Sequence, residues 1–126
     1  MIRCIAIDDE PLALKQLSGY IEKTPFLELA GAFDSALKAI DIMNAENIDL
    51  IFADINMPDL SGMDFVKSLD DPPMIVFVTA YSEYALEGFR VDAVDYLLKP
   101  VSYGDFLKSA NKVKLWFDKH LSLIHI

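Results

Sequence analysis

The chain has 126 residues, 53% of them hydrophobic, and a formal net charge of -9, so its length suits one hydrophobic core and gives no case for two domains. A pI near 4.5 and the lack of any Lys/Arg cluster argue against nucleic-acid binding by this segment, since affinity for a phosphate backbone needs a basic face. Cys4 has no partner cysteine, which excludes a disulfide framework and favours a buried strand thiol over a reactive one. The first apolar stretch breaks at Asp8, too early for a signal-peptide core. No stretch reaches the roughly 18 apolar residues of a membrane span, so a cytoplasmic location is expected.

Ile2 to Ile7 is rich in β-branched residues, the pattern of a strand covered on both faces, and Pro11 follows where a helix can begin. Leu14, Leu17 and Ile21 recur at helical spacing, and Thr24-Pro25 closes that first helix. Leu27 to Phe33 reads as a second strand. A second helix is expected from about Ser35, with Leu37, Ile40 and Met43 as its apolar stripe and Asn44 to Asn47 as its end. Leu50 to Asp54 is the third strand. The turn chemistry of Met57-Pro58-Asp59-Leu60-Ser61-Gly62 then leads into a short third helix carrying Met63, Phe65, Val66 and Leu69. Met74 to Thr79 is the fourth strand. A fourth helix over Glu83 to Arg90, weakened by Gly88, precedes a fifth strand at Ala93 to Leu98 and a fifth helix from Ser102 to about Phe117. A boundary is expected after Phe117, where Asp118-Lys119-His120 ends the amphipathic pattern. Residues 1–117 then form the domain, and 118–126, with the apolar Leu121 to Ile126, read as a tail, a truncated linker or a non-native end.

Strands alternating with helices across short connections indicate an α/β domain with helices on both faces of a parallel sheet. In such sheets, ligand and catalytic groups collect outside the carboxyl ends of the strands. Asp8 and Asp9 end the first strand, Asp54 ends the third, and Lys99-Pro100 ends the fifth. Carboxylates held together repel by roughly 4 kcal/mol per pair at about 4 Å and an effective dielectric near 20, so they either protonate or hold a cation. An all-oxygen site with room for waters suits Mg²⁺.

The stretches IAIDDEP around Asp8, IFADINMPDLSG around Asp54, VFVTAYSEYALEGF around Thr79 and VDYLLKP ending at Pro100 together resemble the receiver domain of bacterial two-component response regulators. The resemblance spans residues 1 to about 117 and is strongest to receivers of the LytTR type, whose regulators usually carry a separate DNA-binding domain after the receiver; no second domain is expected within these 126 residues. It implies a doubly wound, five-stranded parallel sheet of flavodoxin-like (CheY-like) topology, strand order 2-1-3-4-5. It also implies that Asp54 is the phosphoacceptor, taking a phosphoryl group from a phosphohistidine of a sensor histidine kinase. Asp9, Asp54 and the backbone carbonyl of Asn56 would hold Mg²⁺, and Asp8 would act on it mainly through a water. Lys99 would supply a compact positive charge to the phosphoryl oxygens, with the Lys99-Pro100 bond cis. Thr79 would hydrogen-bond the new phosphoryl group, and Thr79 and Tyr96 would form a two-position switch read out at the fourth helix, fifth strand and fifth helix. That surface is also the expected site of phosphorylation-linked homodimerisation. Ala80 would leave the site open, and Asn56 and Tyr81 would tune the lifetime of the aspartyl phosphate. The chain would be a self-phosphorylating and self-dephosphorylating switch rather than a multiple-turnover enzyme, and it would contact DNA only through an output domain.

Simpler readings stand beside these. Asp8 and Asp9 could cap the first helix, Thr79 could be an ordinary strand residue, and Tyr96 could be core. Pro58 and Gly62 read as turn formers and Met57 as packing, while His120 and His125 lie outside the pattern. An aspartyl phosphatase would use a similar residue set, but such enzymes place a second Asp two residues after the nucleophile, and here that position is Asn56.

Overall fold

A computed structural model describes residues 1–58, 60–80 and 93–124; Tyr81 and the helix expected over Glu83 to Arg90 lie outside them. The apolar runs become the centre of a sheet. β1 (Ile2–Ile7), β3 (Leu50–Asp54) and β4 (Met74–Thr79) are buried along almost their whole length, as coverage on both faces requires. The part-buried strands β2 (Leu27–Phe33) and β5 (Asp95–Leu98) complete a five-stranded sheet of order β2-β1-β3-β4-β5, parallel throughout. This is the fold class and strand order expected. β5 starts later than the sequence indicates: Val94 donates its amide to Ile75 at 2.8 Å, yet the strand begins only at Asp95.

Each face of the sheet carries its own core. On one face, α1 (Pro11–Lys23) sets Leu17 and Ile21, and the C-terminal helix (Tyr103–Ile124) sets Phe106, Ala110 and Val113, against Cys4, Ala6, Phe52, Val76 and Val78. On the other face, α2 (Ala36–Ala45) and α3 (Gly62–Lys67) set Ala36, Ala39, Phe65 and Val66 against Ile5, Ile7, Ile51, Ile75 and Phe77. Cys4 is fully buried, and that burial pushes its thiol up to about 12.

Two sequence expectations are corrected here. The inner stripe of α2 is Ala36 and Ala39, with Ile42 and Met43 partly buried, whereas Leu37 is 54% and Ile40 39% exposed. Small residues let the helix lie close to the sheet, so the larger side chains one position along turn outward. The C-terminal helix does not end at Phe117 but continues to Ile124. Its polar residues bond within the helix: Lys114 Nζ meets Asp118 Oδ2 at 3.0 Å, and His120 Nδ1 donates to the Trp116 carbonyl at 2.9 Å. Charged residues at i,i+4 support a helix rather than break it. Among the described residues no helix is long and apolar enough to cross a membrane.

Candidate functional site

The strand register brings distant residues to one rim. Ile7 is level with Ala53, which sets Asp8 beside Asp54; Asp54 is level with Val78, and Thr79 with Leu98, one residue before Lys99. The backbone closes this end further, with the Lys99 amide donating to the Thr79 carbonyl at 2.8 Å. The Lys99-Pro100 peptide bond is cis.

Lys99 Nζ lies 2.8 Å from Asp8 Oδ2 and 3.1 Å from Asp54 Oδ2. Both carboxylates are buried, and the lysine side chain is 17% exposed. Asp54 Oδ1 accepts the Asn56 amide at 3.2 Å, and Asp8 Oδ1 accepts the Glu10 amide at 2.9 Å. Burial raises the Asp54 carboxyl above the ordinary range, and the Asp8 charge adds to this; the Lys99 ammonium and the Asn56 amide offset only part of it. Burial alone would lower Lys99, but its two carboxylate partners hold the ammonium above its usual value. The helix-capping reading of the acidic pair does not describe α1, whose N-cap is Glu10 without a side-chain cap bond, followed by Pro11.

Asp8, Asp9 and Asp54 each present a carboxylate oxygen within 4.8 Å of the others, with Asp9 on the exposed side. Three hard oxygen donors, one face open to water and a local excess of negative charge fit a small divalent cation, Mg²⁺ best, because it keeps several waters. Asn56 is exposed beside them. A cleft of about 350 Å³ flanks Lys99, lined by Glu10, Leu12, Ala13, Gln16, Ala80 and Pro100.

Strand alternation sends Thr79 to the other face, that of Ile75 and Phe77. Thr79 is buried. Tyr96 packs on the same face with its ring 5.4 Å from Phe77, and its buried hydroxyl makes no hydrogen bond among the described residues. Burial raises the Tyr96 phenol above its usual value.

Sequence reasoning missed two contributors. Glu10 Oε2 stands 3.9 Å from Lys99 Nζ at the exposed edge; its position next to the acidic doublet was the available signal. Gly62 is not a turn glycine: it opens α3, has no positive φ, and donates its amide to the Ile55 carbonyl at 2.9 Å. A Cβ there would run into the Asp54 carbonyl oxygen and stand 3.3 Å from Ile55 Cα. Gly62→Ala is therefore expected to cost about 1–3 kcal/mol through overpacking, although alanine is favoured over glycine in helices by about 1 kcal/mol. Urea denaturation reads the sign directly, and a stabilised Gly62→Ala would show that the approach of α3 to β3 is looser than this.

The response regulator receiver domain family matches residues 4–111, and the chain belongs to that family. Its relatives include the sensory transduction protein LytT of Bacillus cereus, 36% identical over 117 residues, a match that covers 90% of this chain and 48% of the relative. The transcriptional regulatory protein BtsR of Escherichia coli is 36% identical over 116 residues, again covering 90% and 48%. These relatives agree with the LytTR-type resemblance, and the chain spans about half their length. Among solved structures, the response regulatory domain of protein mrkE from Klebsiella pneumoniae is 32% identical with a TM-score of 0.83, covering 93% of this chain and 98% of that one.

Proposed function

We propose that this domain takes a phosphoryl group onto Asp54 in a Mg²⁺-dependent reaction, from a phosphohistidine of a sensor histidine kinase or from a small acyl phosphate. The observation that carries the reading is the buried pair of carboxylates, Asp8 and Asp54, bridged by one lysine at the rim. A carboxylate oxygen of Asp54 attacks phosphorus in line. The bond from phosphorus to the donor imidazole nitrogen breaks, and its electron pair stays on the imidazole. Such a transfer needs positioning and charge neutralisation more than covalent help. Asp8, Asp9, Asp54 and the Asn56 carbonyl would hold the ion. When bound, Mg²⁺ supplies positive charge to the phosphoryl oxygens, alongside the Lys99 ammonium.

Phosphorylation then biases a switch. The Thr79 hydroxyl bonds the new group, and the Tyr96 ring moves with it, changing the surface around β5, the helix expected before it and the C-terminal helix. What supports this is the shared face of Thr79 and Tyr96 and the buried Tyr96 hydroxyl, which makes no hydrogen bond among the described residues and gains by finding a partner in another arrangement. The phosphoryl group selects that arrangement by its differential contacts. Leu98, 52% exposed on β5, gives the same surface an apolar element suited to a phosphorylation-linked homodimer. An output domain of LytTR type would carry DNA binding and transcription control. Incubation with Mg²⁺ and acetyl phosphate should add one phosphoryl group by intact mass, with EDTA preventing it. A folded protein that stays unmodified would contradict the proposal.

A further inference from the structure

The lysine facing Asp8 and Asp54 is anchored at its backbone from two sides. On one side its amide donates to the Thr79 carbonyl at 2.8 Å. On the other, two residues along, the buried Val101 accepts a hydrogen bond on its carbonyl from the Tyr20 hydroxyl at 2.9 Å. Tyr20 belongs to α1, 81 residues away in sequence. Its own position is fixed, because its ring lies 5.2 Å from the Tyr103 ring and 5.5 Å from Phe106. A phenol held this way has little rotamer freedom left to lose.

Between these anchors is a cavity of about 20 Å³, bordered by Asp8, Ala13, Leu17, Tyr20, Lys99 and Val101, among others. That volume holds about one water molecule and no side chain. Lys99 therefore borders a gap the size of one water while the backbone on either side of it is tied down. Such anchoring fixes the segment that carries the ammonium, so any shift from its carboxylates toward a further anion is made by the side chain alone. The precision of that shift depends on the anchors.

We propose that Tyr20 is a positioning residue for Lys99: its hydroxyl, through the Val101 carbonyl, fixes the backbone from which the ammonium reaches the phosphoryl oxygens. The proposal rests on Asp54 being the phosphoacceptor. Tyr20→Phe removes the hydroxyl and keeps the ring contacts. Tyr103→Phe is the control, since it takes a hydroxyl from the same aromatic cluster, one 3.4 Å from Thr24 Oγ1, without touching Val101. At saturating Mg²⁺, Tyr20→Phe should take up phosphate from acetyl phosphate about fivefold more slowly, the size of one neutral hydrogen bond, with an unchanged Kd for Mg²⁺. Tyr103→Phe should match the parent rate. In Mg²⁺-free protein the Lys99 ammonium NMR resonance should move in Tyr20→Phe and not in Tyr103→Phe. A folded Tyr20→Phe with the parent rate and resonance overturns the proposal while leaving the phosphoacceptor reading intact. Equal slowing in both variants, or a Tyr20→Phe that is unfolded by far-UV circular dichroism, also overturns it, because the cluster would then be structural only. A parent protein that takes no phosphoryl group removes the reading itself and the proposal with it.

Discussion

Asp54→Asn is expected to take no phosphoryl group at all from acetyl phosphate, and in Mg²⁺-free buffer at neutral pH to denature at a higher temperature than the parent. The first effect follows from loss of the proposed nucleophile. The second follows from burial, which raises the Asp54 carboxyl in the folded state. A group whose folded pKa lies above its unfolded value binds protons more tightly when folded, so stability falls as pH rises through the window from the ordinary aspartate value to the raised one. Above that window the ionised carboxylate exerts its full destabilising effect. The amide of the variant carries no charge at any pH, so its advantage should be largest at neutral pH and shrink as pH falls through the window. Mg²⁺ should reverse the order. Binding to the folded parent adds about 2.7 kcal/mol at a hundredfold excess over Kd, and the variant lacks one of the carboxylates. Thermal denaturation across pH, with and without Mg²⁺, checks both parts; a parent protein more stable than Asp54→Asn in Mg²⁺-free neutral buffer would show that Lys99 outweighs burial at this carboxylate.

Lys99→Met should be the most destabilising change at the rim without Mg²⁺, by about 3 kcal/mol, the lower end for breaking a buried pair because the ammonium is part-exposed. The loss comes less from the missing attraction than from what remains: Asp8 and Asp54, both buried, face each other without a cation. The raised Lys99 pKa says the same from the other side. Adding Mg²⁺ should recover more stability in Lys99→Met than in the parent, since the ion meets a more negative cluster. Phosphorylation should be slowed in the same variant even with Mg²⁺ saturating, because the charge that follows the phosphoryl oxygens is gone. Equal denaturation midpoints for parent and Lys99→Met in EDTA would mean that the ion pairs contribute little.

Much of this was legible in the residues. The bounds of β1, β3 and β4 follow from nearly unbroken apolar runs, because strands covered on both faces leave no alternation to misread. The rim acids and the lysine were legible for a related reason: a charge directly after such a run has to lie at the strand end or be partnered. The inner face of α2 was not legible, because Leu37 and Ile40 outweigh Ala36 and Ala39 in any hydrophobicity count while close packing selects the small residues. The extent of the C-terminal helix was missed because Asp118-Lys119-His120 reads as polar punctuation until its i,i+4 partners are placed. Gly62 and Tyr20 act through contacts with backbone atoms of Asp54 and Val101. A carbonyl oxygen has the same identity at every residue, so no spacing in the sequence announces such contacts.

The most direct test of the account is to locate the phosphoryl group. Protein treated with acetyl phosphate and Mg²⁺, reduced with borohydride to trap any acyl phosphate, and digested for tandem mass spectrometry should carry the reduced side chain at Asp54 alone. Modification at another carboxylate or on His120, or none in protein shown to be folded, would contradict it.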